Sequence, residues 1–308
     1  MTMTTTTTPT DLESLPFPAA AAPAPTLSTD EGDAAEPREQ VIRATHGWVG
    51  LDWSELLHFR ELLFFLVWRD FKVRYKQTVL GVAWAVLVPV VQMLIFTVIF
   101  GTFLKMQSEG YPYAVFVYAG LLPWTFFSTG VNLAGLSLVN QAHVLTKIYF
   151  PRLFVPTASV GAGLVDLVIS FAVYAIILLC YQQPISGQIV FLPLLIVLTV
   201  MATLGVGYIL AALTVNYRDF RYVIPFMLQA LMYASPVIFP VSVVPQKYQW
   251  ILALNPMAGI IDGFRAAILP GKPWNFTTLG VSTAMTLLLF VLGVFYFRRV
   301  ERKFADIA

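Results

Sequence analysis

The stretch Leu80–Leu104, LGVAWAVLVPVVQMLIFTVIFGTFL, contains 25 residues and no charged side chain. A helix needs about 20 mostly apolar residues to cross the hydrocarbon core of a bilayer, so this stretch predicts a transmembrane helix. The segment before it is basic, with Arg60, Arg69, Lys72, Arg74 and Lys76. An uncharged span with a basic flank is typical of a membrane protein whose basic loops face the cytoplasm.

Five further stretches have the same character, and their lengths exclude β-barrel strands, which would have about 10 residues of alternating polarity. The whole chain agrees, because 58% of its 308 residues are hydrophobic and only 12% are charged. Soluble domains contain about 25% charged residues. The predicted fold class is therefore an all-α polytopic membrane protein with six transmembrane helices. The predicted spans are Leu80–Leu104, Tyr113–Val139, Phe154–Cys180, Ile189–Val215, Val223–Val244 and Leu279–Phe297.

The distribution of Lys and Arg predicts the orientation of these spans. Of the 19 basic residues, 13 lie on one side of the six spans between Arg60 and Lys303, and Arg38 and Arg43 raise this number to 15. The other side holds Lys105, Lys247, Arg265 and Lys272. The positive-inside rule therefore predicts that both termini lie in the cytoplasm.

The first 50 residues differ from the rest of the chain. Residues 1–40 contain seven acidic residues and one basic residue, Arg38, and are rich in Thr, Pro and Ala. A segment with so little apolar surface cannot offset the entropy lost on folding. We expect residues 1–50 to be a disordered head and residues 51–308 to form the transmembrane domain. The head is not a signal peptide, because it lacks an early basic residue and an apolar core.

A helix along the membrane surface is predicted before the first span. Between Trp53 and Phe71, apolar residues recur at helical spacing with charged residues between them. This pattern is typical of an amphipathic helix that lies at the inner membrane surface with its bases near anionic headgroups. The interface helix is expected over Glu55–Lys76. Its apolar positions are Leu56, Phe59, Leu63, Leu66 and Val67.

A second segment, Trp250–Leu269, is apolar but is interrupted by Asn255-Pro256. Each half is too short to cross a bilayer, so we expect a re-entrant helical hairpin on the outer side. Backbone at that depth must be covered by protein or by a water-filled space. Asp262 and Arg265 are three residues apart, and we expect them to pair on the second helix of the hairpin.

The chain lacks the sequence motifs of enzyme active sites. No GxxxxGK[ST] phosphate-binding loop occurs, since Gly271-Lys272 is followed by Pro273, and neither HExxH nor GxSxG is found. Cys180 is the only cysteine, and His46, His58 and His143 lie too far apart to form a metal-ligand motif. We therefore expect no enzyme activity, no catalytic residue, no bound cofactor and no metal in this chain.

Asp166 is the only charged residue inside a predicted span. Ionisable residues in spans are costly and often functional, which favours an ion or proton site. The alternative is a structural role, with Asp166 wetted by a translocation space or accepting hydrogen bonds from a neighbouring span. No predicted span contains a base for a proton relay, which favours the structural role.

The 44 aromatic residues of the chain fit the aromatic belts found at membrane surfaces. Some can instead line a route for sugars, because aromatic faces stack against the apolar faces of pyranose rings. The candidate channel-lining residues are Trp84, Phe96, Trp124, Phe127, Phe226 and Tyr233.

From about Leu56 to Lys303, the chain resembles the permease subunits of ABC exporters for polysaccharides and polyol phosphates, the group that carries O-antigen, capsule and teichoic acid. Several landmarks carry this resemblance, and they occur in the family's order on six spans. They are the stretch Arg69–Gln77 followed by Leu80-Gly81, Trp84 and Pro89; the segments Lys147–Arg152, Tyr217–Asp219 and Tyr233–Pro236; and Asn255-Pro256-Met257 with Phe264-Arg265.

The resemblance implies a homodimeric pore in the bacterial cytoplasmic (inner) membrane, bound to two copies of a separate ATPase that holds ATP and Mg. The loop Asn140–Arg152 would dock into that ATPase, and Arg218 and Asp219 would form a second cytoplasmic contact. The contact residues implied for the docking loop are Asn140, His143, Lys147, Tyr149 and Arg152. Those implied for the interface helix are Arg69, Asp70, Lys72, Arg74 and Lys76. At the outer exit, the hairpin residues are Asn255, Pro256, Asp262 and Arg265.

The implied function is ATP-driven export of a lipid-linked polysaccharide, with the glycan and membrane lipids as further partners and no nucleic acid. Three alternatives remain, and one of them is a membrane-bound transferase. A drug or antibiotic exporter permease would share the six spans and the hairpin but less of the stretch Arg69–Leu80. A proton-coupled carrier would depend on Asp166.

Overall fold

The computed structural model describes residues 59–76, 81–141 and 150–301. The chain divides into two units, Met1–Thr45 and His46–Ala308, and every described residue belongs to the second unit. The disordered head expected over residues 1–50 lies outside the described residues and stays a prediction. The regular structure within the described ranges is helical, which confirms the predicted all-α membrane fold.

Nine α-helices occur in the described ranges. They are α1 (Arg60–Lys76), α2 (Gly81–Phe96), α3 (Tyr113–Asn140), α4 (Phe154–Cys180), α5 (Leu192–Asn216), α6 (Phe220–Ala234), α7 (Gln246–Ala253), α8 (Pro256–Ile268) and α9 (Phe276–Glu301). A π-helical segment, Thr97–Phe103, continues α2, and a 3₁₀ turn, Gly187–Phe191, leads into α5.

Five helical segments in the described ranges are long and apolar enough to cross a membrane. They are Ala83–Phe103, Tyr113–Asn140, Phe154–Cys180, Gly187–Asn216 and Phe276–Glu301. Five of the six predicted spans therefore correspond to long helices, with boundaries that differ by a few residues. The remaining one, predicted over Val223–Val244, has a different structure.

Helix α3 forms the centre of the bundle. Most of its residues are buried, and it packs against α2, α4, α5, α6 and α8. Its glycines permit close approach: a Cβ at Gly130 would lie 2.6 Å from the Thr203 side chain of α5, and a Cβ at Gly120 would lie 2.7 Å from the Arg265 side chain of α8. Small residues at helix contacts allow the van der Waals packing that holds membrane helices together.

The bundle has two ends that differ in chemistry. At the basic end, which contains Arg69, Arg152 and Arg298, α1 binds Gln141, the residue that follows α3, and Arg152 bonds to Glu301 at the end of α9. At the hairpin end, which contains residues 104–112, 181–191 and 235–275, Tyr111 bonds to the carbonyl of Pro270. The first and last described helices therefore meet at the same end of the bundle, as expected for an even number of crossings.

Helix α6 is shorter than the span predicted over Val223–Val244, because it has 15 residues and ends at Ala234. Proline at position 236 restricts the preceding residue to extended conformations, and Ser235 has φ −99° and ψ 151°. Helix α6 and the extended segment after it still run together from one end of the bundle to the other. Ile224 packs at Gly135 of α3, and the carbonyl of Val237 lies beside Gly120. These glycines are about 22 Å apart along α3 at 1.5 Å per residue.

Helices α7 and α8 form the re-entrant hairpin that the sequence predicts, with an angle of 106° between them. Both outer ends of the pair lie at the hairpin end. Near the end of α8, the Ser186 amide donates to the carbonyl of Ile268, and just before α7 the Ser242 hydroxyl donates to the Glu109 carboxylate. The tip reaches inward to Ser282, whose hydroxyl donates to the carbonyls of Ala253 and Asn255 at 3.1 and 3.2 Å. Ser282 is six residues into α9, so the tip is about 9 Å below its start.

Four buried threonine hydroxyls are satisfied within their own helices. Thr199, Thr203 and Thr214 of α5 and Thr286 of α9 each donate to the carbonyl four residues earlier, at 2.7–2.8 Å. Water is scarce at this depth, so this local bonding lets a polar side chain remain in an apolar helix.

Helices α5 and α9 cross in direct backbone contact at Gly205 and Gly293. A Cβ at Gly293 would lie 2.4 Å from the carbonyl oxygen of Gly205. We predict that Gly293→Ala lowers the thermal stability of the purified protein, by about 1–3 kcal/mol, because the helices must separate. Thermal unfolding followed by gel filtration in detergent measures this. Gly280→Ala is the control on the same helix, since nothing lies within 4 Å of its Cβ position. Equal stability of the two variants would contradict the prediction.

Candidate functional site

The side chain of Arg265 is fully buried at the hairpin end. Its nitrogens donate to the carbonyls of Phe116 at 3.2 Å and of Pro236 and Val237 at 2.6 Å each. The guanidinium also lies over the ring of Phe116, 3.6 Å from its centroid. One side chain thus joins α8, α3 and the extended segment after α6. It supplies donors to the carbonyls of Pro236 and Val237, which lie beyond the end of α6.

The hairpin tip is fixed to the end of α6. The Asn255 side chain accepts from the amide of Met257 at 3.0 Å, which caps α8, and donates to the hydroxyl of Ser235 at 2.7 Å. Pro256 follows at the first helical position, where a missing N–H costs nothing. The Asn255-Pro256 pair therefore starts the second helix of the hairpin, and its asparagine also ties the tip to the residue at which α6 stops.

The expected pair between Asp262 and Arg265 is wrong. Asp262 pairs with Lys272, at 3.1 Å between the carboxylate oxygen and the ammonium nitrogen, and Lys272 also binds Glu109. Spacing along one helix made Arg265 the nearest base in sequence, but its guanidinium is occupied by backbone carbonyls. Lys272 connects the loop after α2 to the loop after α8, and both loops lie at the hairpin end.

Helix α1 lies against α4 and presents charged side chains to the bundle. Leu66 is buried in the protein, and Phe59, Leu63 and Val67, which are apolar positions of the predicted helix, pack in the same cluster. Arg69 and Arg74, which the sequence places near lipid headgroups, instead form ion pairs within the protein. Lys72 and Lys76 remain exposed, as do the aromatic side chains of Phe64, Phe65 and Trp68.

Four polar residues join α1 to α3 and α4, and we call Arg69, Asp70, Gln141 and Ser159 the polar clamp. Arg69 pairs with Asp70 at 2.8 Å and donates to the Gln141 side-chain carbonyl at 2.5 Å. Asp70 accepts from the Gln141 amide at 3.5 Å and from the Ser159 hydroxyl at 3.3 Å. The sequence does not indicate Gln141 or Ser159 as partners, because neither lies near Arg69 in the chain.

Asp166 also binds α1. Its carboxylate pairs with Arg74 and accepts a hydrogen bond from the Tyr75 hydroxyl. Burial, followed by the hydrogen bond to Asp166, raises the pKa of Tyr75, so the hydroxyl stays protonated and donates. A small cavity of about 40 Å³ adjoins the carboxylate between α3 and α4, and its polar lining includes Thr125, Thr129 and Ser170.

The base that pairs with Asp166 therefore comes from the interface helix and not from a span. Asp166 accepts its hydrogen bonds from α1, which agrees with a structural role and differs only in the source of the donor. The sequence does not reveal this pair, because 92 residues separate Arg74 from Asp166.

The docking loop is described only at its edges. His143, Lys147 and Tyr149 lie outside the described residues. Asn140 is exposed at the end of α3. Arg152 donates from its backbone to the Glu301 carboxylate and from its side chain to the Glu301 carbonyl, both at 3.2 Å. Arg152 therefore also holds the end of α9.

The residues predicted as a second cytoplasmic contact, Arg218 and Asp219, lie between α5 and α6 at the basic end. Both are exposed. The structure therefore leaves this short loop available to a partner at the same end as Asn140.

The six candidate channel-lining aromatics do not share one surface. Phe96, Trp124 and Phe127 lie in the hydrophobic core with 7%, 3% and 1% of their surfaces exposed, so they line no surface of this chain. Their burial follows from the central position of α3, which hydropathy alone does not reveal. The exposed members are Trp84 on α2 and Phe226 and Tyr233 on α6.

Helix α6 carries a continuous exposed stripe of polar and aromatic side chains. Tyr222, Phe226, Gln229 and Tyr233 recur at intervals of four, three and four residues, and all four are exposed. We call them the α6 stripe. Tyr222 and Gln229 were missed by sequence analysis, although their spacing from Phe226 and Tyr233 is helical. An exposed glutamine on a membrane helix is poorly solvated by lipid tails, so this face is suited to contact protein or a polar ligand.

The described residues contain no group of three or more His, Cys, Asp and Glu side chains that could hold a metal ion. The described ranges instead contain ion pairs, backbone carbonyls bound by Arg265, and the α6 stripe. The ion pairs and the bound carbonyls fix helices, and the stripe can contact a polar solute.

The amino-acid sequence was compared with protein families and with individual proteins. The profile of the ABC-2 type transporter family matches residues 61–269. The chain is 30% identical over 254 residues to the O-antigen export system permease protein RfbA of Myxococcus xanthus, covering 82% of this chain and 97% of that protein. It is 27% identical over 248 residues to RfbA of Klebsiella pneumoniae, covering 80% and 95%. It is also 26% identical over 241 residues to the polysialic acid transport protein KpsM of Escherichia coli, covering 76% and 91%.

We predict that Arg265→Met destabilises the bundle, because buried carbonyls lose their donors at about 1–3 kcal/mol each. The melting temperature in detergent should fall by roughly 5 °C or more. Arg265→Lys should recover only part of this, since an ammonium cannot reproduce the guanidinium fork. Arg221→Met, at an exposed position on α6, is the control. A stable Arg265→Met variant would contradict this role.

We predict that Arg74 and Asp166 are energetically coupled. A double-mutant cycle of Arg74→Met and Asp166→Leu should give a coupling free energy of about 1 kcal/mol, since the pair is partly exposed. The measurement is thermal unfolding of the purified variants. The same cycle with Asp219→Leu in place of Asp166→Leu is the control and should be additive. Additivity of both cycles would show that the ion pair does not hold α1.

Proposed function

The chain belongs to the ABC-2 type transporter family, and we propose that it is the membrane permease of an ATP-driven exporter of a lipid-linked polysaccharide. The observation that carries this proposal is the likeness to permeases named for O-antigen export, which extends over nearly the whole length of those proteins. The similarity to a polysialic acid transport protein supports a glycan as the common chemical class of the substrate.

A polar glycan needs a continuous protein-lined passage across about 30 Å of hydrocarbon. The α6 stripe supports such a passage, because its aromatic faces can stack on sugar rings and Gln229 can bond to hydroxyl groups. Helix α6 crosses beside α3, and the hairpin tip lies at its end. The substrate would move along α6 and leave past the hairpin.

A second copy of the chain would complete this passage. The α6 stripe lies on the surface of one chain, so a single copy offers one wall and not an enclosed route. Two copies that face each other through this side would enclose the stripes of both. The exposed Trp84 of α2 would belong to the same wall or to the contact between copies.

The energy for transport would come from two copies of a separate ATPase, because this sequence has no phosphate-binding loop. ATP and Mg would be bound by that partner. The described edges of the docking loop, Asn140 and Arg152, lie at the basic end with the exposed Arg218 and Asp219. We assign this end to the cytoplasm by the positive-inside rule. The permease would then lie in the inner membrane with both termini on the ATPase side.

The experiment that tests this proposal is purification of the chain from its native membrane in mild detergent, with mass spectrometry of the proteins that accompany it. The expected result is a stoichiometric ATPase with a phosphate-binding loop. Cells that lack the chain should also retain a lipid-linked glycan on the cytoplasmic side. Unchanged glycan with altered drug sensitivity would instead indicate a drug exporter.

A homo-oligomer without an ATPase, from a preparation still active in transport, would overturn the proposal. It would favour the proton-coupled carrier, and Asp166→Asn would then abolish transport. The ion pair of Asp166 with Arg74 argues against that outcome, because it gives this carboxylate a structural role in holding α1 against α4.

We predict that Lys147→Glu lowers the amount of ATPase that co-purifies with the permease at least severalfold. The substitution replaces a positive charge in the docking loop with a negative one, which would weaken the contact with the ATPase. The measurement is the ratio of ATPase to permease after affinity purification. Arg152 is unsuitable for this test, since it also holds Glu301. Lys247→Glu, in the hairpin, is the control for charge reversal elsewhere. A normal ratio for Lys147→Glu would contradict the placement of the docking loop.

A further inference from the structure

The polar clamp connects the interface helix to the point where the docking loop begins. Gln141 directly follows α3, its backbone amide caps that helix through the carbonyl of Ser137 at 3.0 Å, and residues 142–149 come next in the chain. A force that displaces the loop therefore reaches α3 through Gln141, and it reaches the start of α4 through Phe150. The Gln141 side chain binds two residues of α1, Arg69 and Asp70.

The chemistry at position 141 fits an amide specifically. Its oxygen accepts from the Arg69 guanidinium at 2.5 Å, while its nitrogen donates to the Asp70 carboxylate at 3.5 Å. A glutamate at this position would keep the first contact and would set two carboxylates against each other. A leucine would make neither hydrogen bond. The glutamine thus bridges an ion pair whose two charges lie on consecutive residues of α1.

Helix α1 also contacts α4 at three positions along α4. Asp70 binds Ser159, Val67 packs on Gly161 with 3.0 Å between its methyl and the Cβ position, and Arg74 and Tyr75 bind Asp166. Ser159 and Asp166 are about 10 Å apart along α4. With contacts over this length, α1 and α4 can move as one rigid body. A push at Gln141 is then passed to a transmembrane helix.

We propose that Gln141, through Arg69 and Asp70, is the positioning contact that transmits motion of the docking loop to the interface helix and on to α4. This inference rests on the proposed function, in which a separate ATPase moves that loop. The clamp converts a local displacement into movement of a rigid pair of helices, which is the kind of step that drives hinge and shear transitions. The residues touch neither nucleotide nor substrate.

The test uses the permease with its partner ATPase in proteoliposomes and measures both ATP hydrolysis and glycan transport. Gln141→Leu should leave assembly and hydrolysis near the wild-type level while transport per ATP falls roughly fivefold or more, the usual size of a coupling between sites. Gln141→Glu, which preserves the volume, should behave in the same way and serves if the leucine variant does not fold. Gln182→Leu, an exposed glutamine at the other end of the bundle, is the control and should transport normally.

A covalent replacement for the clamp provides the reverse test. Cys180 is the only cysteine of the chain, so Asp70→Cys with Gln141→Cys in a Cys180→Ser background leaves one reactive pair. The unlinked variant should hydrolyse ATP with little transport. A short bis-methanethiosulfonate linker should restore transport per ATP, and reduction should remove it again.

Two results would overturn this inference while the proposed function stands. One is that both Gln141 variants keep the wild-type rates of hydrolysis and of transport. The other is a fall of hydrolysis and transport in equal proportion, which indicates a static tether. If no ATPase accompanies the wild-type protein, the proposed function itself fails, and that result is visible before any variant is measured.

Discussion

Arg265 donates hydrogen bonds to carbonyls of α3 and of the segment that follows α6. That segment leaves the helical conformation at Ser235-Pro236, at a depth where water is scarce, and an unsatisfied carbonyl there costs several kcal/mol. The short α6 and the hairpin beside it depend on this one buried guanidinium. Without it, the carbonyls of Pro236 and Val237 would lose their donors, and α8 would lose its hydrogen bond to the Phe116 carbonyl of α3. The exit side of the proposed passage is thus shaped by the need to satisfy backbone groups.

The same constraint acts at the basic end through charged side chains. Arg69 and Arg74 enter the space between α1, α3 and α4, where each meets a carboxylate. Ion pairs of this kind give orientation more than stability, since desolvation cancels much of their attraction. They fix α1 at defined positions along α4 and leave its aromatic side chains on the outside. The helix predicted to lie at the membrane surface is therefore also the helix that binds Gln141, the residue that precedes the docking loop's undescribed part.

The sequence predicts the long spans and the hairpin because both follow from local composition. Twenty uncharged residues must form a buried helix in a bilayer, and Asn255-Pro256 must interrupt one. The contacts of single polar residues could not be predicted in this way. Asp262 was assigned to the nearest base on its own helix, whereas its partner Lys272 lies on the next loop. Trp124 and Phe127 resembled channel residues by type, but their burial depends on α3 being surrounded by five other helices. Long-range packing decides these points, and a single sequence contains little record of it.

The most direct measurement is ATP-driven movement of a lipid-linked glycan by the purified permease and its ATPase in proteoliposomes. We expect the glycan to become accessible to a lectin or glycosidase on the side opposite the ATPase, with a rate that depends on ATP and on both subunits. Movement that persists without ATP or without the ATPase would contradict the assignment. So would an active ATPase complex that leaves every lipid-linked glycan on its original side.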